Sequence, residues 1–166
     1  RKEDTLGVEG VNVIYGGRKE IENGEEMRDA LIEGVGADGW EVDTIHVSGP
    51  AFDDLDKRLL ALQLVKLGLT RAAMFDPTGQ VVQPADMLYR RPVLVERGAF
   101  YPPTHLHVHM LEAALDQFRN LPANRGKDPI VLLEMNLKNW ASNPESMPRE
   151  FLEHADVLSG LGHPIL

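Results

Sequence analysis

The sequence predicts an α/β protein: a Rossmann-like, three-layer, mainly parallel sheet with helices on both faces and one short hairpin arm. Three observations carry that expectation. Apolar runs of strand length recur at residues 8–15, 40–47, 72–75, 92–95 and 130–135. Stretches with helical apolar spacing separate most of them, as a sheet built from β-α-β units requires. Gly or Pro stands at nearly every junction, where chain reversal needs it.

The elements follow in order. Val11, Val13 and Ile14 give the first strand apolar residues on both faces, and Gly16-Gly17 closes it. Asn23, Glu25 and Glu26 open a helix, the Asn as a cap and the acids at the positive end of the dipole. Met27, Ala30, Leu31 and Val35 form its stripe, and Gly36 ends it. Residues 40–47 alternate as a second strand, with His46 half-buried in it. After Ser48-Gly49-Pro50, acidic residues Asp53, Asp54 and Asp56 lead into a helix over about 55–67. Its leucines spread widely enough to pack on more than one side, and Gly68 stops it.

Asp76-Pro77-Thr78-Gly79 has Pro and Gly where a β-turn wants them, so 72–75 and 80–83 make a hairpin. Pro84 confines its second arm to an edge. Residues 92–95 read as a buried central strand, followed by Gly98, Pro102-Pro103 and a helix beginning at Thr104. Leu106, Met110 and Ala114 space as its stripe, with Leu111, Leu115 and Phe118 beside them. Residues 120–127 form a polar loop. The strand at 130–135 is apolar except for Glu134, which needs a partner if buried. A last helix starts near Ser146-Met147-Pro148 and stops at Gly160 and Gly162.

Composition bounds the function. The chain has 166 residues, 43% hydrophobic and 26% charged, which suits a single globular domain over residues 1–166. Its net charge is −9 without a basic cluster, which argues against nucleic-acid binding. The absence of Cys excludes disulfides and thiolate metal sites. No apolar run approaches the roughly 18 residues of a membrane span, so no membrane partner and a cytoplasmic location are expected. The chain opens at Arg1 and stops at His163-Pro164-Ile165-Leu166, which reads as the start of a strand. It is therefore expected to be a segment of a longer protein.

In parallel α/β sheets ligands bind beyond the carboxyl ends of the strands. That edge would gather Ser48, Gly49 and the loop from Gly98 to Thr104. Gly98-Ala99-Phe100-Tyr101-Pro102-Pro103-Thr104-His105-Leu106-His107 resembles the signature of the adenylyl- and cytidylyltransferase superfamily, Gly-x-Phe-Asp-Pro-x-(His or Thr)-x-Gly-His. Gly98, Phe100, Pro102, Thr104 and His107 fit it. Tyr101 stands in place of Asp and Leu106 in place of Gly, which lets backbone approach the nucleotide. Amides at a helix N-terminus hold phosphates, and an imidazole there stabilises charge as pyrophosphate leaves. The alternative is a capped, proline-stiffened helix start without a ligand. A different chemistry comes from His105, His107 and His109. Extended, all three share a face; helical, His105 and His109 lie one turn apart beside Glu112, a two-His, one-carboxylate set. Solvated histidines on a polar helix face are the alternative there. Arg90, Arg91 and Arg97 flank the central strand, to meet phosphate or, as the alternative, to stand solvated or ion-paired.

Blocks along nearly the whole chain extend the resemblance: residues 6–15, 47–52, 58–65, 74–84, 92–98 and the loop and helix to Phe118. They resemble the middle of a large bacterial family of uncertain function, whose members carry names such as nicotinate-nucleotide adenylyltransferase or TonB-dependent receptor. That family's loop reads Gly-x-Phe-Arg-Pro-(Val or Pro)-Thr, matched here at Gly98, Phe100, Pro102 and Thr104. The resemblance implies a nucleotide-binding protein that transfers adenylyl from ATP, with Mg, to a mononucleotide such as nicotinate mononucleotide. His107 would be catalytic, and Gly98, Phe100, Pro102, Thr104, Ser48 and Gly49 would hold the nucleotide. A non-catalytic scaffold domain, contacting missing domains of its own protein or a second copy, is the other expectation. A metal-dependent hydrolase using the histidines is the third.

Overall fold

A computed structural model describes residues 30, 45–46, 50, 56–100, 103–136 and 147–166. The chain falls into two compact units, Arg1–Arg71 and Ala72–Leu166. The strand expected over 8–15 lies outside the described residues, as do Ser48, Gly49 and Pro102. Ala30 is helical and buried, as its place in an expected stripe requires. Ile45 and His46, from the strand expected over 40–47, lie in no strand, and His46 is exposed rather than half-buried.

In the first unit, helix α1 (Lys57–Lys66) begins where Asp56 accepts the Arg58 backbone N–H at 3.0 Å. The Arg58 guanidinium grips the same carboxylate at 2.8 Å. Burial alone would raise the Asp56 pKa, but the Arg58 hydrogen bonds and charge outweigh it and hold the carboxyl below its ordinary range. Leu60, Leu62 and Leu64 are all buried. They do not share one face, which explains the wide apolar spread in the sequence. At the far end Gly68 takes φ +70°, its N–H bonds Val65 O, and Leu69 N–H bonds Leu64 O. This is a Schellman closure, completed by Leu64 and Leu69 packing together with Leu60.

The second unit is built on a sheet. Strands β1 (Met74–Phe75) and β2 (Val81–Val82) pair antiparallel. Asp76 makes the turn between them. Its side chain accepts from Thr78 N–H, Thr78 Oγ1 and Gln80 N–H at 2.6–2.9 Å, while Gly79 supplies φ +81°. Pro84 then opens a short helix, α2 (Pro84–Leu88), instead of merely ending an edge arm. Proline suits that first helical position because its missing N–H would have no partner there.

Strand β3 (Val93–Arg97) runs parallel to β4 (Ile130–Glu134), in a register that sets Val93 beside Ile130 and Arg97 beside Glu134. Ion pairs bracket the two strands. At the entry Arg91 Nη2 meets Asp128 Oδ2 at 2.6 Å; at the exit the Arg97 fork takes Glu134 at 2.8 and 2.9 Å. Helix α3 (His105–Asn120) and a 3-10 turn (Pro122–Asn124) form the crossover, and helix α4 (Met147–Ser159) follows β4. α4 buries Phe151, Leu152, Ala155 and Leu158 along one stripe.

The last residues join the pieces. Ile165 bridges Phe75 antiparallel and Leu133 parallel, giving one mixed sheet in the order β2–β1–Ile165–β4–β3. Among the described residues the sheet is therefore mixed, with its longer pairing, β3 to β4, parallel and its shorter one, β1 to β2, antiparallel, and its strands are short. Residues 130–133 are buried in succession, so both faces of β4 are covered. β3 differs from the expectation of a buried central strand. Its one partner among the described residues is β4, and Val95 is 47% exposed. α3 also differs: Leu111 is its buried residue, whereas Leu106 and Met110 are 66% and 56% exposed. The helix is rotated so that Leu111, Leu115 and Phe118 turn inward, while Leu106 and Met110 face outward.

Candidate functional site

The carboxyl ends of β3 and β4 lead into the loop that the sequence singles out. Gly98 leaves β3 by donating its N–H to Glu134 O at 3.1 Å, which extends the sheet ladder by one rung. The chain then bends sharply at Phe100, which takes φ +49°, a strained value for a bulky side chain. That bend folds the phenyl ring back over Gly98. A Cβ at position 98 would meet the ring at 3.3–3.4 Å, so the absence of a side chain there lets the ring close down. Phe100 is 4% exposed.

Beyond the loop, Thr104 caps α3 with the help of His107. Thr104 N–H donates to His107 Nδ1 at 3.0 Å, and Thr104 Oγ1 lies 2.8 Å from the same nitrogen. His107 occupies the third helical position, where Glu or Gln normally reaches back in a capping box. Because Nδ1 accepts from an amide, the neutral ring carries its proton on Nε2. The ring is also held edge-on by Phe100, with centroids 5.8 Å apart. Gly98, Phe100, Thr104 and His107, picked from the sequence as separate motif positions, thus form one cluster.

The sequence reading missed Glu96. Lying between two apolar residues and Arg97 at the end of β3, it is half-buried. Burial raises its pKa above the ordinary carboxylate range, and the neighbouring His107 partly offsets this. The available signal was its position, at the carboxyl end of a strand next to a ligand-type loop. A carboxyl that holds its proton more tightly when folded opposes folding once pH exceeds its folded pKa. Glu96→Gln should therefore raise the unfolding free energy measured in urea at pH 7 by less than about 0.5 kcal/mol after solvent screening. The gain should vanish below about pH 4, where the unfolded-state carboxyl is also protonated. A loss of stability at pH 7 would show that the attraction to His107 outweighs burial.

The histidines do not gather. His105 is exposed, His107 is turned to Thr104, and His109 lies 3.7 Å from Glu112 with both side chains largely in solvent. Among the described residues no three His, Asp or Glu side chains converge as a metal site. The expected set of His105, His109 and Glu112 therefore reduces to one exposed pair. Helical geometry spaces His105 and His109 along a polar face, and among the described residues no other element brings in a third group. Two of the three arginines are ion-paired, Arg91 with Asp128 and Arg97 with Glu134, while Arg90 stacks 5.0 Å over the Tyr89 ring. No helix among the described residues is long and apolar enough to cross a membrane. No family model, curated protein or solved structure matches the chain.

Proposed function

We propose that this is a nucleotide-binding α/β protein of Rossmann-like build, holding its nucleotide beyond the carboxyl ends of β3 and β4. The observation that carries this reading is the fixed imidazole at the start of α3. A parallel strand pair ends in a glycine turn and a strained residue, then enters a 16-residue helix whose third residue keeps an Nε2–H donor. Helix N-termini favour phosphate, and strained backbone concentrates at ligand sites. The superfamily resemblance at Gly98, Phe100, Thr104 and His107 adds to it.

In its catalytic form the reading is adenylyl transfer from ATP to a mononucleotide such as nicotinate mononucleotide, in the cytoplasm. His107 would donate from Nε2 to the α-phosphate as charge develops there. It would not act as a base, since Nδ1 is occupied by Thr104. Mg typically needs only one or two carboxylates when phosphates supply its other ligands. Glu96 is the protein group that fits that need, and Mg would neutralise phosphate charge.

A second reading, a non-catalytic scaffold contacting other domains of its protein or a second copy, is favoured by a different observation. The loop satisfies itself: Gly98 N–H is spent on Glu134 O, Thr104 and His107 close on each other, and Phe100 covers Gly98.

Calorimetric titration with ATP and Mg separates the two if the cap is separated from the ligand. His107→Ala removes the cap bond and should cost about 1 kcal/mol of stability. His107→Glu restores the normal capping residue, so it should fold at least as stably as wild type while repelling phosphate. Saturable wild-type binding that weakens by about tenfold or more in His107→Glu and in Thr104→Ala supports nucleotide at this loop. Unchanged affinity in His107→Glu moves the nucleotide elsewhere, and absence of wild-type heat supports the scaffold.

A further inference from the structure

A built recess in the second unit lies at the opposite end of α3 from His107. It is a cleft of about 300 Å³ at the amino end of β4, between the last turns of α3, the β1–β2 turn and the Gly162-His163-Pro164 approach to Ile165. Leu115 and Arg119 come from α3, Ile130 and Val131 form buried apolar floor, and Arg91 and His163 line the sides. The volume is at the lower end of small-molecule pockets, ~300–1,000 Å³.

Its charge is specific. In a chain of net charge −9, none of the lining residues is acidic and two are arginines. Arg91 is pinned by Asp128, through Nη2 to Oδ2 at 2.6 Å and Nε to the backbone O at 3.3 Å. That pair neutralises itself while fixing one guanidinium at the rim. Arg119 has no ion pair among the described residues, so the cleft keeps one uncompensated positive charge. Burial pushes the His163 pKa below its ordinary range, so this ring is neutral at pH 7 and contributes a donor and an acceptor rather than charge. An apolar floor, one net positive charge and a neutral imidazole together select a ligand with one acid group on an apolar body. A guanidinium fork meets carboxylate and phosphate in the same bidentate way.

We propose that this cleft binds a small organic acid, its single carboxylate or phosphate ester on Arg119 and its apolar body against Leu115 and Ile130. The site is separate from the loop at Gly98 to Thr104. Arg119 lies twelve positions beyond His107, roughly 18 Å along the helix, so binding here does not depend on the nucleotide reading.

The test is an NMR titration of the 166-residue chain with benzoate, phenyl phosphate and neutral benzyl alcohol. Saturable amide shifts should appear at Leu115, Ile130 and Gly162, with a Kd of about 1 mM or tighter for an anion. At least one anion should bind about tenfold more tightly than the alcohol, as a charged hydrogen bond allows. The tighter of the two anions identifies the acid group. Arg119→Gln should abolish the anion's advantage and leave alcohol binding unchanged, and Arg119→Lys should retain part of it. Equal affinity for the alcohol and both anions, an advantage that survives Arg119→Gln, shifts outside the cleft, or no saturation would each overturn the proposal.

Discussion

Ile165→Pro should destabilise the Ala72–Leu166 unit by about 4 kcal/mol or more, read as the loss of unfolding free energy in urea. Proline inside a sheet costs a ladder bond and fits badly. Here the bond is Ile165 N–H to Phe75 O at 2.9 Å, the return partner of Phe75 N–H to Ile165 O at 2.8 Å. Removing the donor leaves the Phe75 carbonyl unpaired in the core, worth roughly 1–3 kcal/mol by itself. Ile165 is also 0% exposed, so the smaller ring leaves part of its space unfilled, adding a few kcal/mol. Leu133 N–H to Pro164 O and Leu166 N–H to Leu133 O flank it on the parallel side, and both would be disturbed. Set against a total stability of ~5–15 kcal/mol, this is enough to populate unfolded chains. Ile165→Val, which keeps the bonds, should cost only about 1 kcal/mol. If proline cost no more than valine, the sheet would not be joined through this residue.

Phe100→Ala should cost about 3 kcal/mol, and Phe100→Gly about 1 kcal/mol less. The first figure follows from burial of a large aromatic ring, here packed over Gly98 and against His107. The difference follows from φ +49°. Alanine loses the ring and keeps the backbone strain, whereas glycine loses the ring and relieves strain worth roughly 1–3 kcal/mol. Its extra unfolded-chain entropy, ~0.5–1 kcal/mol, does not cancel that gain. The usual order of these substitutions would be reversed. Urea denaturation of both variants decides it; alanine more stable than glycine would mean that position 100 is not held in the left-handed region. If the loop holds a nucleotide as proposed, its binding should weaken in both, because the ring packs against His107.

These effects fall on residues whose local roles were readable to different depths. Gly68 reads as a helix stop from sequence, and the Schellman bonds bear this out, because a single φ > 0 position is a local requirement. Asp76-Pro77-Thr78-Gly79 reads as a turn for the same reason: the Asp carboxylate accepts from the Thr78 and Gln80 amides and the Thr78 hydroxyl, all within four residues. Thr104 reads as a helix start, and α3 begins at the next residue. His107 reads from sequence as a site position, and the structure gives it a local role the sequence did not suggest, as the capping partner of Thr104. A histidine replacing Glu or Gln in a capping box carries no sequence signal that separates it from a catalytic imidazole. The 3.0 Å bond from the Thr104 amide shows the capping role.

The exposure of Leu106 and Met110 was not readable either. The α3 apolar residues cover enough of the helix circumference that several faces would serve, and the partner surface chooses among them. The same holds for Val95, where apolar content says strand but not how many neighbours the strand acquires. The cleft at Arg119 and His163 draws on residues between positions 77 and 164, so no window of sequence contains it. What the sequence determined by itself was a set of local events: the helix stop at Gly68, the hairpin turn at Asp76 to Gly79 and the helix start at Thr104. Each depends on bonds within a few residues. Strand order, the joining of the sheet through Ile165, the inward face of α3 and the charge gathered in the cleft were decided by tertiary structure. Those depend on which distant surfaces exclude water together, a choice that local propensity leaves open.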